Sequence, residues 1–245
     1  MSLENIRIVL VEPSHPGNIG AAARAMKTMG IGRLALVRPE RFPDPQAEWR
    51  AAGAGDVIER CRVFDDLETA IGDCVWVVGT SARQRRIPWP VGDVREAAAE
   101  VVQQAETGPV AVLFGRETSG LTNDELQRCN MHLQIPASRD YPSLNLAMAV
   151  QVVTYEIFRQ AAAPKPRPRA WDKAPATAAA VEALLTHLER SLVETGFLDP
   201  ENPGQTLTRL RRLFTRIQLD ETEVGMLRGI LTQFKKHNPS RDKPG

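Results

Sequence analysis

Five short segments that read as strands recur along the chain, at residues 6–11, 34–37, 75–78, 110–114 and 132–135. The first four are short, mostly apolar and rich in Val, Ile and Leu, the pattern of strands buried on both faces. Ala-rich segments that read as helices lie between them: residues 18–29, with Gly30 placed to end the helix, and residues 46–52 and 94–105. Thr122-Asn123-Asp124-Glu125 is a capping box, which starts a further short helix running to about Cys129. A longer helix spans residues 144–160. Strands alternating with helices predict an α/β fold with a parallel sheet covered on both faces. In such sheets ligands bind beyond the carboxyl ends of the strands. Gly79-Thr80-Ser81 and Gly115-Arg116-Glu117 sit at two of those ends, so these glycine-opened polar loops are candidate binding loops.

The pattern changes after residue 163. Between Pro164 and Pro175 stand four prolines and four basic residues, the composition of a semi-rigid, extended linker. Everything beyond is helical in period. Val181, Leu184, Leu185, Leu188 and Leu192 share one face of a helix that Gly196 ends, and two more helices follow at about 205–218 and 222–236. The predicted organisation is a catalytic-type domain over residues 1–163, a linker over 164–176 and a small helical extension over 177–245.

Charge follows the same division. Residues 1–163 hold 17 Lys and Arg against 20 Asp and Glu, and residues 164–245 hold 14 against 10, for a net +1. A mildly acidic body with a basic appendage fits chemistry on one part and a grip on a polyanion on the other. At 42% hydrophobic and 25% charged, the chain has an ordinary globular balance. No apolar run approaches the ~18 residues of a membrane span. Met1 to Asn5 lacks a basic segment, and 6–11 reads as a strand rather than a signal peptide, so a cytoplasmic protein with no membrane partner is expected. Cys61, Cys74 and Cys129 are odd in number and lack metal-ligand spacing, and His15, His132, His187 and His237 are scattered. No metal site is expected.

Gly30-Ile31-Gly32-Arg33-Leu34-Ala35 matches a dinucleotide fingerprint in letters only. It follows a helix and enters a strand, the reverse of the order that fingerprint requires. No Walker A and no GxSxG sequence is present. Three other segments stand out: Asn18, Gly20 and Arg24 in the spacing NxGxxxR; residues 114–121 in the spacing FGxExxGL; and Ile135-Pro136 followed by Ser143-Leu144-Asn145-Leu146-Ala147-Met148-Ala149. Taken singly each has a plain structural reading. Asn18 and Asn145 would cap helices, Arg24 would be a solvated charge, and the glycines would make turns. Together and in this order they resemble the three motifs of the SPOUT (TrmH-like) superfamily of RNA methyltransferases, and within it the TrmJ type. That type methylates the ribose 2′-oxygen of nucleotide 32, cytidine or uridine, in tRNA. The similarity extends to residues 79–83 and 210–216, covering nearly the whole chain apart from the linker.

The resemblance implies a trefoil knot in the C-terminal half of the catalytic domain, over roughly residues 80–149. It also implies a homodimer, S-adenosylmethionine as methyl donor and tRNA as substrate. By resemblance, the cofactor loops are Thr80, Ser81 and Ala82; Gly115, Arg116 and Glu117; Ile135 and Pro136; and Pro142, Ser143 and Leu144. Gly115 would let the loop approach the ligand closely. Arg24, Ser143 and Asn145 are the candidate catalytic residues. The family account makes this arginine a general base, but a guanidinium does not readily give up its proton. A clamp on the phosphate beside the target ribose is the other reading of Arg24. Glu117 would organise its loop or orient Arg24. Asn18, Arg24, Arg83, Arg85, Arg86, Arg209, Arg212 and Arg216 are the candidate RNA contacts. In the second C-terminal helix, Leu207, Leu210, Leu213, Phe214 and Ile217 share one face, and its three arginines fall opposite at 100° per residue.

Overall fold

The computed structural model describes residues 2–81, 90–138, 140–141, 143–162, 173–202 and 204–237. Among them seven strands form one parallel sheet: β1 (Ile6–Val11), β2 (Arg33–Val37), β3 (Arg62–Phe64), β4 (Trp76–Thr80), β5 (Val91–Asp93), β6 (Val110–Phe114) and β7 (Met131–Gln134). Their spatial order is β3-β2-β1-β6-β4-β7-β5. Five are the strand segments read from the sequence. The other two, β3 and β5, are three residues each, lie at the sheet's two edges and carry Arg62 and Asp93. An edge strand buries little, so it leaves no apolar run to read.

The helices of this part are α1 (Pro16–Thr28), α2 (Pro45–Ala51), α3 (Gly55–Glu59), α4 (Leu67–Ile71), α5 (Val94–Gln104), α6 (Asn123–Gln127) and α7 (Leu146–Ala162). α3 and α4 are five residues each, too short to show a helical period in the sequence. Alternation along β1 divides the core. Ile6, Ile8 and Leu10 pack with α1, α2, α5 and α7, while Val9 and Val11 pack with α4 and α6. Each such fully buried side chain stabilises the fold by about 1.5–3 kcal/mol. Arg7, the one charge in this strand, is 6% exposed. It grips both carboxylate oxygens of Asp73, at 2.7 and 2.8 Å, and donates to the Ala70 carbonyl, so the buried charge is fully paired.

The extension consists of α8 (Ala178–Glu194), α9 (Thr206–Arg216) and α10 (Glu221–His237). Leu184, Leu219, Val224 and Leu231 form its own small core. Most of the predicted linker lies outside the described residues. Its far end pairs with the α9–α10 turn, through a bridge between Pro175 and Asp220 and a bond from the Ala176 N–H to the Leu219 carbonyl. α9 departs from the expected amphipathic seam. Leu213 and Ile217 of its apolar face are exposed, while Thr215 is buried and Arg211 turns inward to Glu182. Phe214 packs against the extension's small core, and polar contacts dock the rest of the helix.

Candidate active site

Three strand ends meet at one cavity of about 360 Å³. Thr80 and Ser81 stand at the end of β4, the loop 115–121 at the end of β6, and Leu133 and Ile135 at the end of β7. These strands are neighbours in the sheet, so the cavity lies where parallel α/β sheets bind ligands. Ser143, Leu144 and Leu146 close it from the start of α7. Its size falls within the ~300–1,000 Å³ of small-molecule sites, and its walls mix apolar side chains with a few polar groups.

Of the sequence-predicted cofactor residues, Thr80, Ser81, Gly115, Arg116, Glu117, Ile135, Ser143 and Leu144 line this cavity. Pro136 is exposed and does not line it. Ala82, Pro142, Arg83, Arg85 and Arg86 lie outside the described residues. Phe114, Leu121, Leu133 and Ala149 also line it. They read as core residues in sequence, because only the closure of the strand ends turns them toward a ligand.

The second motif works by folding back on itself. Arg116 and Gly120 exchange backbone hydrogen bonds, at 3.2 and 2.9 Å, and Gly120 sits at φ +70°. A Cβ on Gly115 would stand 2.1 Å from the Gly120 carbonyl carbon and 2.2 Å from the Leu121 nitrogen. Gly115 is therefore required by the loop itself, before any ligand approaches. Gly20 of the first motif is packed just as tightly, since a Cβ there would lie 2.1 Å from the Ala47 carbonyl oxygen where α1 crosses α2.

Arg116 lines the cavity, but its guanidinium is occupied. It spans Glu125 with two bonds of 3.0 Å and reaches Glu12 at 2.6 Å. Hydrogen bonds from Glu125 and Glu12 raise its pKa. Its side chain thus ties the end of β1 to the capping box of α6, and a direct part in holding a cofactor would fall to its backbone.

Glu117 joins the three motifs. Its carboxylate accepts from the Ser14 N–H and hydroxyl, each at 3.1 Å, from the His15 N–H at 3.4 Å and from the Asn18 side-chain amide at 3.1 Å. Burial pushes its pKa up, but the bonds from Ser14, Asn18 and His15 outweigh that and hold it below the usual carboxylate range. Asn18 does not cap α1. His15 does so, its ring nitrogen accepting from the Gly17 N–H at 3.1 Å. The Asn18 Oδ1 instead accepts from the Asn145 side-chain amide at 3.1 Å. Asn145 also meets its capping reading, because its Oδ1 accepts from the Ala147 N–H at 2.9 Å at the start of α7. No contact between Glu117 and Arg24 is present; Arg24 projects from α1 into solvent and is not part of the cavity wall.

In the extension, Arg209, Arg212 and Arg216 line one surface groove of α9 together with Leu210 and Leu213. The arginines and part of the apolar face are therefore adjacent rather than opposed. The cysteines carry no reactivity of note: burial pushes the thiols of Cys61 and Cys74 up to about 12 and that of Cys129 up as well. Among the described residues no group of three or more His, Cys, Asp or Glu is placed to hold a metal ion. Nor is any helix there long and apolar enough to cross a membrane.

Comparison with known proteins agrees with this geometry. Residues 5–155 match the SpoU rRNA Methylase family and residues 179–243 match the tRNA methyltransferase TrmJ C-terminal domain. The chain is 50% identical to a tRNA (cytidine/uridine/adenosine-2′-O-)-methyltransferase TrmJ of Pseudomonas aeruginosa, over 96% of this chain and 95% of that protein. It is 49% identical to a tRNA (cytidine/uridine-2′-O-)-methyltransferase TrmJ of Klebsiella pneumoniae, over 98% of this chain and all of that one. The crystal structure of TrmJ from Zymomonas mobilis (Z. mobilis ZM4) superposes with a TM-score of 0.80 at 34% identity, covering 94% of this chain and 98% of that one. With matches that span both its parts, the chain belongs to the SpoU methylase family, in its TrmJ branch.

Proposed function

We propose that this chain transfers a methyl group from S-adenosylmethionine to the ribose 2′-oxygen of nucleotide 32 in tRNA. The observation that carries the reading is the cavity bounded by three strand-end loops, with Glu117, Asn18 and Asn145 bonded in that order beside it. The names of the relatives support tRNA as the substrate and the 2′-oxygen as the acceptor.

The residues present suit the donor. Phe114, Leu133, Ile135 and Leu144 offer apolar walls to a purine, and Thr80, Ser81 and the 115–121 loop offer backbone and hydroxyl partners. Once bound, S-adenosylmethionine supplies an electrophilic methyl with a neutral thioether as leaving group. The chain must hold the ribose hydroxyl in line with that methyl and help loosen its proton. Ser143 lines the cavity, and Asn145, exposed beside it and bonded to Asn18, would approach the hydroxyl from there. Arg24, whose side chain is exposed, is suited to clamp the adjacent phosphate and polarise the hydroxyl, because a guanidinium offers donors only.

Arg24 does not line the cavity of its own chain, which supports a homodimer in which α1 of one copy faces the cavity of the other. Met148, Tyr155 and Phe158 are exposed on α7, which packs beside α1, and such apolar exposure suits a subunit contact. The family's trefoil knot belongs to the same reading, as does action in the cytoplasm. The groove with Arg209, Arg212 and Arg216 would hold the tRNA backbone.

The test is direct. Purified protein is incubated with labelled donor and bulk tRNA, and the methylated nucleotide is mapped. Methyl at the 2′-oxygen of nucleotide 32 is the expected result. Methyl at another nucleotide would sink the position, and no transfer to any RNA would sink the activity.

A further inference from the structure

The extension is not a tethered appendage; it is bolted to the sheet at several points. Asn130, between α6 and β7, makes two bonds to β4 and one to the extension. Its N–H donates to the Val77 carbonyl at 2.8 Å, its Oδ1 accepts from the Val77 N–H at 2.8 Å, and its Nδ2 donates to the Thr215 carbonyl of α9 at 2.8 Å. One side chain thus joins the start of β4 to the last turn of the arginine-bearing helix. Thr80 and Ser81 of the cavity stand three and four residues further along β4, roughly 10–13 Å away at ~3.3 Å per residue.

A second pair acts in parallel. Gln104 of α5 and Gln218, just after α9, exchange side-chain amide bonds, one of them at 3.0 Å, and both are buried. Gln218 is held at φ +47°, a conformation that costs a non-glycine residue free energy and persists only where its surroundings impose it. Around these two clamps, Arg211 of α9 pairs with Glu182 of α8, and the N–H groups of Ala178 and Ala179 at the start of α8 donate to the carbonyls of Cys74 and Gly72. The catalytic body therefore satisfies amides that an isolated helix would leave open.

We infer that Asn130 and the Gln104–Gln218 pair are positioning residues, which fix the register between the RNA-holding helix α9 and the strand that carries the donor loop. The inference rests on the proposed function for the identity of the RNA and the donor. A fixed register matters because near-attack geometry is lost with displacements of about 1 Å, at a cost of ~100-fold in rate.

Two variants test it. Asn130→Asp keeps the acceptor for the Val77 N–H but sets an oxygen against the Thr215 carbonyl. Gln218→Gly removes the amide clamp while relieving the strained backbone, which offsets part of the loss. For both, donor affinity by calorimetry is expected within twofold of wild type and tRNA affinity within threefold. The single-turnover rate at saturating tRNA is expected to fall at least tenfold. An unchanged rate overturns the inference. So does a rate loss matched by loss of donor affinity, which would mean damage to β4 itself, or a loss that saturating tRNA fully restores, which would mean simple holding. Should the wild-type chain bind the donor but methylate no RNA, the proposed function falls instead. The docking is then read from amide exchange in α9, which must rise at least tenfold in Gln218→Gly; unchanged exchange overturns it.

Discussion

Asn18 donates its side-chain amide to the Glu117 carboxylate across 3.1 Å, binding the first motif to the second over 99 residues of chain. Because the same carboxylate also holds Ser14 and His15, the entry to α1 and the loop after β6 are positioned as one unit. Hydrogen bonds to a charged group contribute about 1.5–3 kcal/mol each. Glu117→Gln places an amide where several donors converge, and methyl transfer should fall tenfold or more in single-turnover assays. Wild-type rates in that variant would remove Glu117 from the machinery.

The pH dependence of stability follows from the same carboxylate. Its folded pKa lies below the ordinary value of about 4.3, so the unfolded chain binds more protons in acid. Its stabilising contribution is complete above that ordinary value and is lost as pH falls through the lower, folded one. Urea unfolding should show wild type more stable than Glu117→Gln at neutral pH, with the difference closing in acid below about pH 4. A difference that grows on acidification would contradict the assignment.

Gly115→Ala would force a Cβ to 2.1 Å from the Gly120 carbonyl carbon. The loop must open, at about 1–3 kcal/mol for overpacking. Calorimetry should show donor binding weakened at least tenfold, with a lowered melting temperature. Unaltered binding would mean that the loop takes another path.

Arg24→Lys should leave donor affinity unchanged, since Arg24 lies off the cavity wall, yet abolish turnover. Lysine keeps the charge but loses the planar fork that grips a phosphate. Donor binding and methyl transfer measured side by side decide it, and a loss of donor affinity would place the residue inside the pocket after all.

Arg209→Ala combined with Arg216→Ala removes two charges from the α9 groove. If each meets a phosphate, the slope of log affinity against log salt should drop by roughly 1.4–1.8 in magnitude, at 0.7–0.9 per contact. An unchanged slope would mean that the groove faces solvent in the complex.

The sequence by itself determined the parallel sheet, through apolar runs that can only be buried on two faces. It also determined the loops that form the cavity, through glycines and polar residues placed just after strands. The resemblance in three motifs named the family from residues alone. Tertiary structure decided what those residues do, because contacts between distant segments leave no local period. Gly115 serves its own loop, Arg116 is spent on Glu12 and Glu125, and Asn18 answers to Glu117 rather than to its helix end. The same holds for α9. Its periodicity marks Leu213 and Ile217 for burial, yet Thr215 and Arg211 face inward: Asn130 takes the Thr215 backbone carbonyl and Glu182 pairs with Arg211, partners that no pattern within the helix records.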